Sequence, residues 1–216
     1  MLDRLKRLVF VPKCKSCHKL ADKNNLCSVC EVKLERCRTE NPTEFIKKDI
    51  KECDGVFASY DYTSTAKDVI KYAKFRNPSR FLNSFTEDVG RDILKIIKDN
   101  NVDVVVAVPS YKSKFYRQVF SLPDEMVKSL DKTGVKIDLG LIEKTRKTKT
   151  QHYLSEDERK INLLGAFKVK GDAENKNILI IDDVITSGST ISEIATELKL
   201  AGRGKVYAWR YTLNHR

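Results

Sequence analysis

The chain has 216 residues, 41 of them Lys or Arg and 30 Asp or Glu, for a formal net charge of +11. This length buries a sizeable core and suits one domain of ordinary size plus a small appendage. The positive balance points to an anionic partner, phosphates or nucleic acid, without choosing between them, and no segment is long and apolar enough to span a membrane.

Between Met1 and Lys13 the only unbroken apolar run is Leu8-Val9-Phe10-Val11, which follows Arg4, Lys6 and Arg7. It is too short for a signal-peptide core. The expected location is therefore the cytoplasm, with peripheral attachment to the inner face of the membrane through the basic start as a further option. Cys14-x-x-Cys17 and Cys27-x-x-Cys30 follow, nine residues apart. Two such knuckles turn four thiolates toward one tetrahedral metal ion. Without a secretory signal, disulfides are the weaker reading, and four thiolates in a small ribbon favour zinc over iron. His18 is less suited than the four cysteines, and Cys37 and Cys53 read as small buried residues. A closed four-thiolate shell leaves no position for chemistry, so the metal is expected to be structural and to supply the folding energy of a segment too polar for its own core. The expected division is 1–53, zinc ribbon and linker, and 54–216, a second domain.

From Gly55 the composition changes. Val56 to Tyr62 alternates like a strand, and Ser64 is placed to cap a helix through Val69, Ile70 and Ala73. Tyr72-Ala73-Lys74-Phe75-Arg76-Asn77-Pro78 closes that helix with basic and aromatic residues, either lining an anion site or forming a solvated helix end. Phe85, Val89, Ile93, Ile96 and Ile97 recur at helical spacing, and Asp99-Asn100-Asn101 ends the helix. Val102 to Val108 is β-branched and almost wholly apolar, as an inner parallel strand requires. It runs into Pro109-Ser110-Tyr111-Lys112-Ser113-Lys114, with Arg117 nearby. A helix over Pro123 to Lys132 and a short strand over Val135 to Ile137 come next. Glu143 to Gln151 has no apolar anchor and reads as a basic loop, followed by Leu154-Ser155 and a short helix containing Arg159. Such a loop closes over phosphate groups or follows a nucleic-acid backbone.

Ile178-Leu179-Ile180-Ile181 is a strand buried on both faces, and Asp182-Asp183-Val184-Ile185-Thr186-Ser187-Gly188-Ser189-Thr190 carries it into a helix with Ile191, Ile194, Ala195, Leu198 and Ala201 on one side. In an open α/β sheet ligands bind at the carboxyl ends of strands, where the N–H groups of a following helix favour an anion. The hydroxyls add donors, and Gly188 allows close approach of the backbone. Asp182 and Asp183 repel phosphate; they suit ribose hydroxyls or a divalent metal. The competing reading is a solvated turn whose hydroxyls cap the helix. Val206 to Tyr211 supplies the last strand.

The 178–190 stretch resembles the phosphoribosyl pyrophosphate (PRPP) motif of type I phosphoribosyltransferases. That resemblance implies an α/β fold, an open and mainly parallel sheet flanked by helices. It also implies that Asp182 and Asp183, the catalytic candidates, hold the ribose 2′- and 3′-hydroxyls. The turn from Thr186 through Ser187, Gly188 and Ser189 to Thr190 would hold the 5′-phosphate, with Val184 and Ile185 also among the PRPP-binding residues, and Val108, Pro109 and Ser110 the pyrophosphate, with Mg²⁺ accompanying PRPP.

With the four-cysteine ribbon, the chain is similar to the ComF family of competence proteins. Lys147 to Phe167 matches the family's Thr-x-x-Gln-x-x-Leu and Arg-x-x-Asn-x-x-Gly-Ala-Phe pattern, and Lys74-Phe75-Arg76 also matches. Where the family usually reads Arg-Gly-Phe-Asn-Gln, this chain has Gln118-Val119-Phe120-Ser121-Leu122 and keeps only the phenylalanine. The resemblance implies a PRPP-binding protein of natural transformation that handles imported single-stranded DNA, with a competence helicase or other DNA-processing proteins as partners. The alternative is an active phosphoribosyltransferase of nucleotide metabolism with an unidentified acceptor base.

Overall fold

The computed structural model describes residues 13–21, 26–39, 50, 52–61, 63–75, 89–111, 121–131, 134–149, 154–171, 174–185, 188–202 and 204–213. In chain order its elements are α1 (Ser28–Glu35), β1 (Gly55–Asp61), α2 (Ser64–Phe75), α3 (Gly90–Asp99), β2 (Val104–Ala107), α4 (Leu122–Ser129), β3 (Ile142–Lys144), α5 (Glu156–Leu163), β4 (Phe167–Val169), β5 (Ile178–Ile185), α6 (Ser189–Leu200) and β6 (Val206–Leu213). The fold is mixed α/β: a parallel sheet flanked by helices, with the four cysteines toward the N-terminus.

The sheet order is β1-β6-β5-β2, and all three pairings are parallel. Ile178 to Ile181 of β5 are fully buried, because β2 and β6 cover both edges of the strand and helices cover both faces. On one face Ala66 and Ile70 of α2, Ile93 of α3 and Met126 and Val127 of α4 pack with Leu179, Ile181 and Trp209. On the other, Ile191, Ile194, Ala195 and Leu198 of α6 join Phe167 and Leu163 against Ile178, Ile180 and Ala208. Ala201, expected on that stripe, is instead the exposed residue that closes α6.

Local chemistry shifts several boundaries. Thr63, not Ser64, caps α2, its hydroxyl accepting from the Ala66 N–H at 3.4 Å. Ser121 caps α4 by accepting from the Asp124 N–H, and the helix ends at Ser129 rather than Lys132. The segment over Val135 to Ile137 makes a single parallel bridge, Ile137 to Val105, along the outer edge of β2. The expected basic loop begins as a strand: Glu143 and Lys144 pair antiparallel with Lys168 and Phe167. The anchor absent from 143–151 is Ile142, one residue upstream and 4% exposed, while the Lys144 ammonium sits 5.5 Å from the Phe167 ring centroid. Phe85 and the 76–78 end of the Tyr72–Pro78 stretch lie outside the described residues.

The outer edge of β1 is closed by the segment after the ribbon helix. Thr39 N–H donates to Ser59 O at 3.0 Å and Asp61 N–H to Cys37 O at 2.7 Å, which removes an open edge. Arg38 lies between these bonds and ties three elements together. Its Nε donates to Glu35 of α1 at 2.8 Å, Nη1 to Asp92 of α3 at 2.9 Å and Nη2 to the Tyr60 hydroxyl of β1 at 3.1 Å. Asp92 also accepts from Ser59 Oγ at 2.9 Å. Arg38→Ala is expected to lower unfolding stability by about 2 kcal/mol, because part-buried acceptors lose a charged donor. Arg38→Lys should recover only part of that loss, since an ammonium cannot reproduce the fork. Denaturant unfolding checks both, and an unchanged midpoint in Arg38→Ala would show that the network contributes nothing.

Candidate phosphate-binding site and metal centre

β5 does not stop at Ile181. It runs to Ile185, so Asp182 and Asp183 are strand residues and Val184 and Ile185 continue the backbone pairing with Thr212 and Leu213. Consecutive strand residues face opposite sides of a sheet. Asp182 therefore shares the α6 face with Ile180, and Asp183 the opposite face with Ile181. Both acids are buried, at 9% and 6% exposure, and Asp182 Oδ1 accepts from the Asp183 N–H at 2.8 Å.

Two buried carboxylates in a strand need compensating charge or donors. Across the sheet, the residue in register with Asp182 is Arg210 of β6, itself 3% exposed. Adjacent parallel strands run about 4.8 Å apart with in-register side chains on one face, so a cation and an acid share the α6 side of the sheet. The sequence reading did not single out Arg210. The available signal was a lone charge within Val206 to Tyr211, a strand otherwise apolar.

Beyond β5 the chain turns at Gly188, with φ at +73°, and α6 begins. That left-handed backbone favours glycine. A glycine offers no side chain to cap a helix, and a helix N-terminus carries partial positive charge that suits an anion. Ser189 is buried and Thr190 half-buried in the first turn, while Thr186 and Ser187 lie outside the described residues.

Val108 N–H donates to Ile181 O at 3.0 Å, extending the β2–β5 pairing past the end of β2. Half-buried Pro109 and Ser110 thus leave the sheet at the same edge as Asp182 and Asp183. Lys112, Lys114, Arg117 and the Gln118–Phe120 departure lie outside the described residues, whereas Ser121 and Leu122 open α4.

The second centre lies in the ribbon. One Sγ atom from each of Cys14, Cys17, Cys27 and Cys30 falls within 4.8 Å of every other, and Cys17 and Cys27 are 3.6 Å apart. Tetrahedral zinc with bonds of about 2.3 Å sets sulfurs about 3.8 Å apart, so the four fit such an ion. His18, in a left-handed conformation with φ at 61°, is not among them, nor are Cys37, whose thiol donates to Lys33 O, and buried Cys53. Burial raises the Cys14 thiol, but N–H groups of Cys17, Cys27 and Ser16 outweigh it and bring it down to about 6. Burial pushes Cys30 up to about 12, with the Cys14, Cys17 and Cys27 thiols adding to the effect.

The ribbon is joined to the sheet domain. Cys14, Cys30 and Leu34 belong to the same buried cluster as Ala66 and Ile70 of α2. Ser16 Oγ donates to Asp68 Oδ2 at 3.1 Å, and the Lys15 ammonium stands 4.5 Å from the Tyr72 ring centroid. Among the described residues no helix is long and apolar enough to cross a membrane.

No protein-family model matches the chain. It is 30% identical over 153 residues to the DNA utilization protein YhgH of Salmonella typhi, covering 69% of this chain and 67% of that one. Competence protein F of Haemophilus influenzae is 24% identical over 210 residues, covering 87% and 90% of the two chains. Competence protein ComFC of Bacillus subtilis is 28% identical over 135 residues, covering 61% and 52%. With these relatives and a four-cysteine cluster that fits a zinc ion, the chain belongs to the ComF family of competence and DNA-utilization proteins.

Proposed function

We propose that this protein binds PRPP with Mg²⁺ at the carboxyl edge of β5 and acts in natural transformation on imported single-stranded DNA, with zinc in the ribbon. The observation that carries the reading is the buried Asp182–Asp183 pair on an inner strand that leads through a left-handed Gly188 into the start of α6. Carboxylates accept from ribose hydroxyls or bind Mg²⁺, and a helix start accepts phosphate. In this reading Asp182 and Asp183 take the ribose, the Thr186 to Thr190 turn the 5′-phosphate, and Ser110 the pyrophosphate. DNA handling rests on the names of the relatives and on the +11 charge; a competence helicase is the proposed protein partner.

A transfer reaction at this site would form a bond from an acceptor to C1 of PRPP and release pyrophosphate, whose charge Mg²⁺ and basic side chains would stabilise. Pyrophosphate release from PRPP, assayed with a panel of bases, separates this enzyme reading from binding alone.

Calorimetric titration with PRPP and Mg²⁺ is expected to show binding to the wild type. Asp182→Asn with Asp183→Asn should weaken it about a hundredfold, as two charged hydrogen-bond acceptors are lost. Equal affinity in the folded variant would remove PRPP from β5. Zinc analysis should find one ion per chain, and Cys30→Ser should abolish it and lower the thermal midpoint; full metal content in that variant would refute a four-thiolate site. Affinity for oligodeoxythymidylate should fall steeply between low and physiological salt. Weak binding indifferent to salt would remove DNA from the proposal.

A further inference from the structure

The four ribbon sulfurs are not equivalent. Cys14 is fully buried and Cys30 is 3% exposed, whereas Cys17 is exposed and Cys27 half-buried. The backbone divides them in the same way. Cys14 N–H donates to Lys19 O at 2.7 Å and Cys14 O accepts from His18 N–H at 3.0 Å, so both of its peptide groups are held by the knuckle, and Cys30 lies within α1. Cys17 sits in the turn of the first knuckle, and Cys27 is the extended residue that precedes α1. These two, one from each knuckle, bring their Sγ atoms to 3.6 Å. The other two cysteines are set apart: Cys37 donates its thiol to Lys33 O at 3.1 Å, Cys53 is buried, and neither joins the sulfur cluster.

A zinc-bound cysteine is a thiolate whatever its free acidity. Access therefore decides which sulfur an oxidant meets, and access singles out Cys17. Attack of that thiolate on hydrogen peroxide breaks the O–O bond, leaves a sulfenic acid on Cys17 and, with one proton, releases water. The Cys27 thiolate then displaces the sulfenic hydroxyl, which leaves as a second water with a second proton. Two thiolates have lost two electrons to the peroxide and become a disulfide. Closing the pair takes the sulfurs from 3.6 Å to about 2.0 Å, and Cys14 and Cys30 alone are two ligands short of a tetrahedral shell. We propose that Cys17 and Cys27 are a thiol switch, which hydrogen peroxide closes into a disulfide across the two knuckles with release of zinc; this rests on the zinc reading. Lys15 and Ser16, in the turn that carries Cys17, meet Tyr72 and Asp68 of α2, so the bridge also acts on the junction between ribbon and sheet domain.

The test exposes the full-length, zinc-loaded protein to excess hydrogen peroxide and reads zinc release with a colorimetric chelator. Remaining thiols are then alkylated, and disulfides are mapped by peptide mass spectrometry without reduction. The expected result is a Cys17–Cys27 bridge as the main product, zinc release in step with its formation, and recovery of thiols and zinc after dithiothreitol and added zinc. Cys37→Ser should change neither the bridge nor its rate, because that thiol lies outside the cluster. A main product that joins Cys14 to Cys17 or Cys27 to Cys30, a bridge to Cys37 or Cys53, or zinc retained throughout would each overturn the inference and leave the zinc site standing. Reduced protein that takes up no zinc would overturn the zinc reading and the release with it.

Discussion

The structure depends on keeping two carboxylates inside its central strand. Ile178 to Ile181 are sealed by neighbours on both edges and both faces, so Asp182 and Asp183 continue a strand that excludes water on all sides. Desolvating one carboxylate costs several kcal/mol unless charge or donors replace the lost water, by roughly the scale of buried ion penalties. Their positions answer that cost in different ways. Asp182 lies in register with buried Arg210 and accepts from the next N–H, and the start of α6 brings the positive end of its dipole to the same edge. Carboxylates suit hydroxyls or a metal, whereas a helix start suits an anion.

A second constraint is the cost of open sheet edges and of a ribbon with little core of its own. One segment meets both. Residues Cys37 to Thr39 close the outer edge of β1, while Arg38 reaches Glu35 on one side and Asp92 and Tyr60 on the other. Cys14 and Cys30 of the four-thiol cluster are buried in the same core as α2, whose Asp68 and Tyr72 meet Ser16 and Lys15. The change of composition near residue 54 marks where sheet begins, but the contacts cross it freely. Whatever orders the ribbon therefore acts on α2, the helix that carries Tyr72 to Phe75.

Much of the fold was legible because inner parallel strands and amphipathic helices have local signatures. An apolar run of β-branched residues at 102–108 marked β2, and the stripe Ile191, Ile194, Ala195, Leu198 marked the buried face of α6. The cysteine spacing predicted the sulfur cluster, since two tight knuckles leave few other arrangements. The antiparallel β3–β4 pair was missed because Glu143 and Lys144 look like solvent residues and gain their strand form from Phe167, more than twenty residues away. The cap at Thr63 was misassigned by one residue because Thr63 and Ser64 offer the same hydroxyl chemistry, and only the backbone geometry distinguishes them.

The sequence by itself determined the inner strands and the amphipathic helices, the four clustered thiols that could hold one metal ion, and the order acid pair, turn, helix, because burial, thiol spacing and turn chemistry act over a few neighbouring residues. Only the tertiary structure decided that Asp182 shares a sheet face with Arg210 and that Asn162 grips Lys149. Those pairings join segments distant in the chain, and their geometry is set by strand register and by how helices pack on the sheet, which no local pattern encodes.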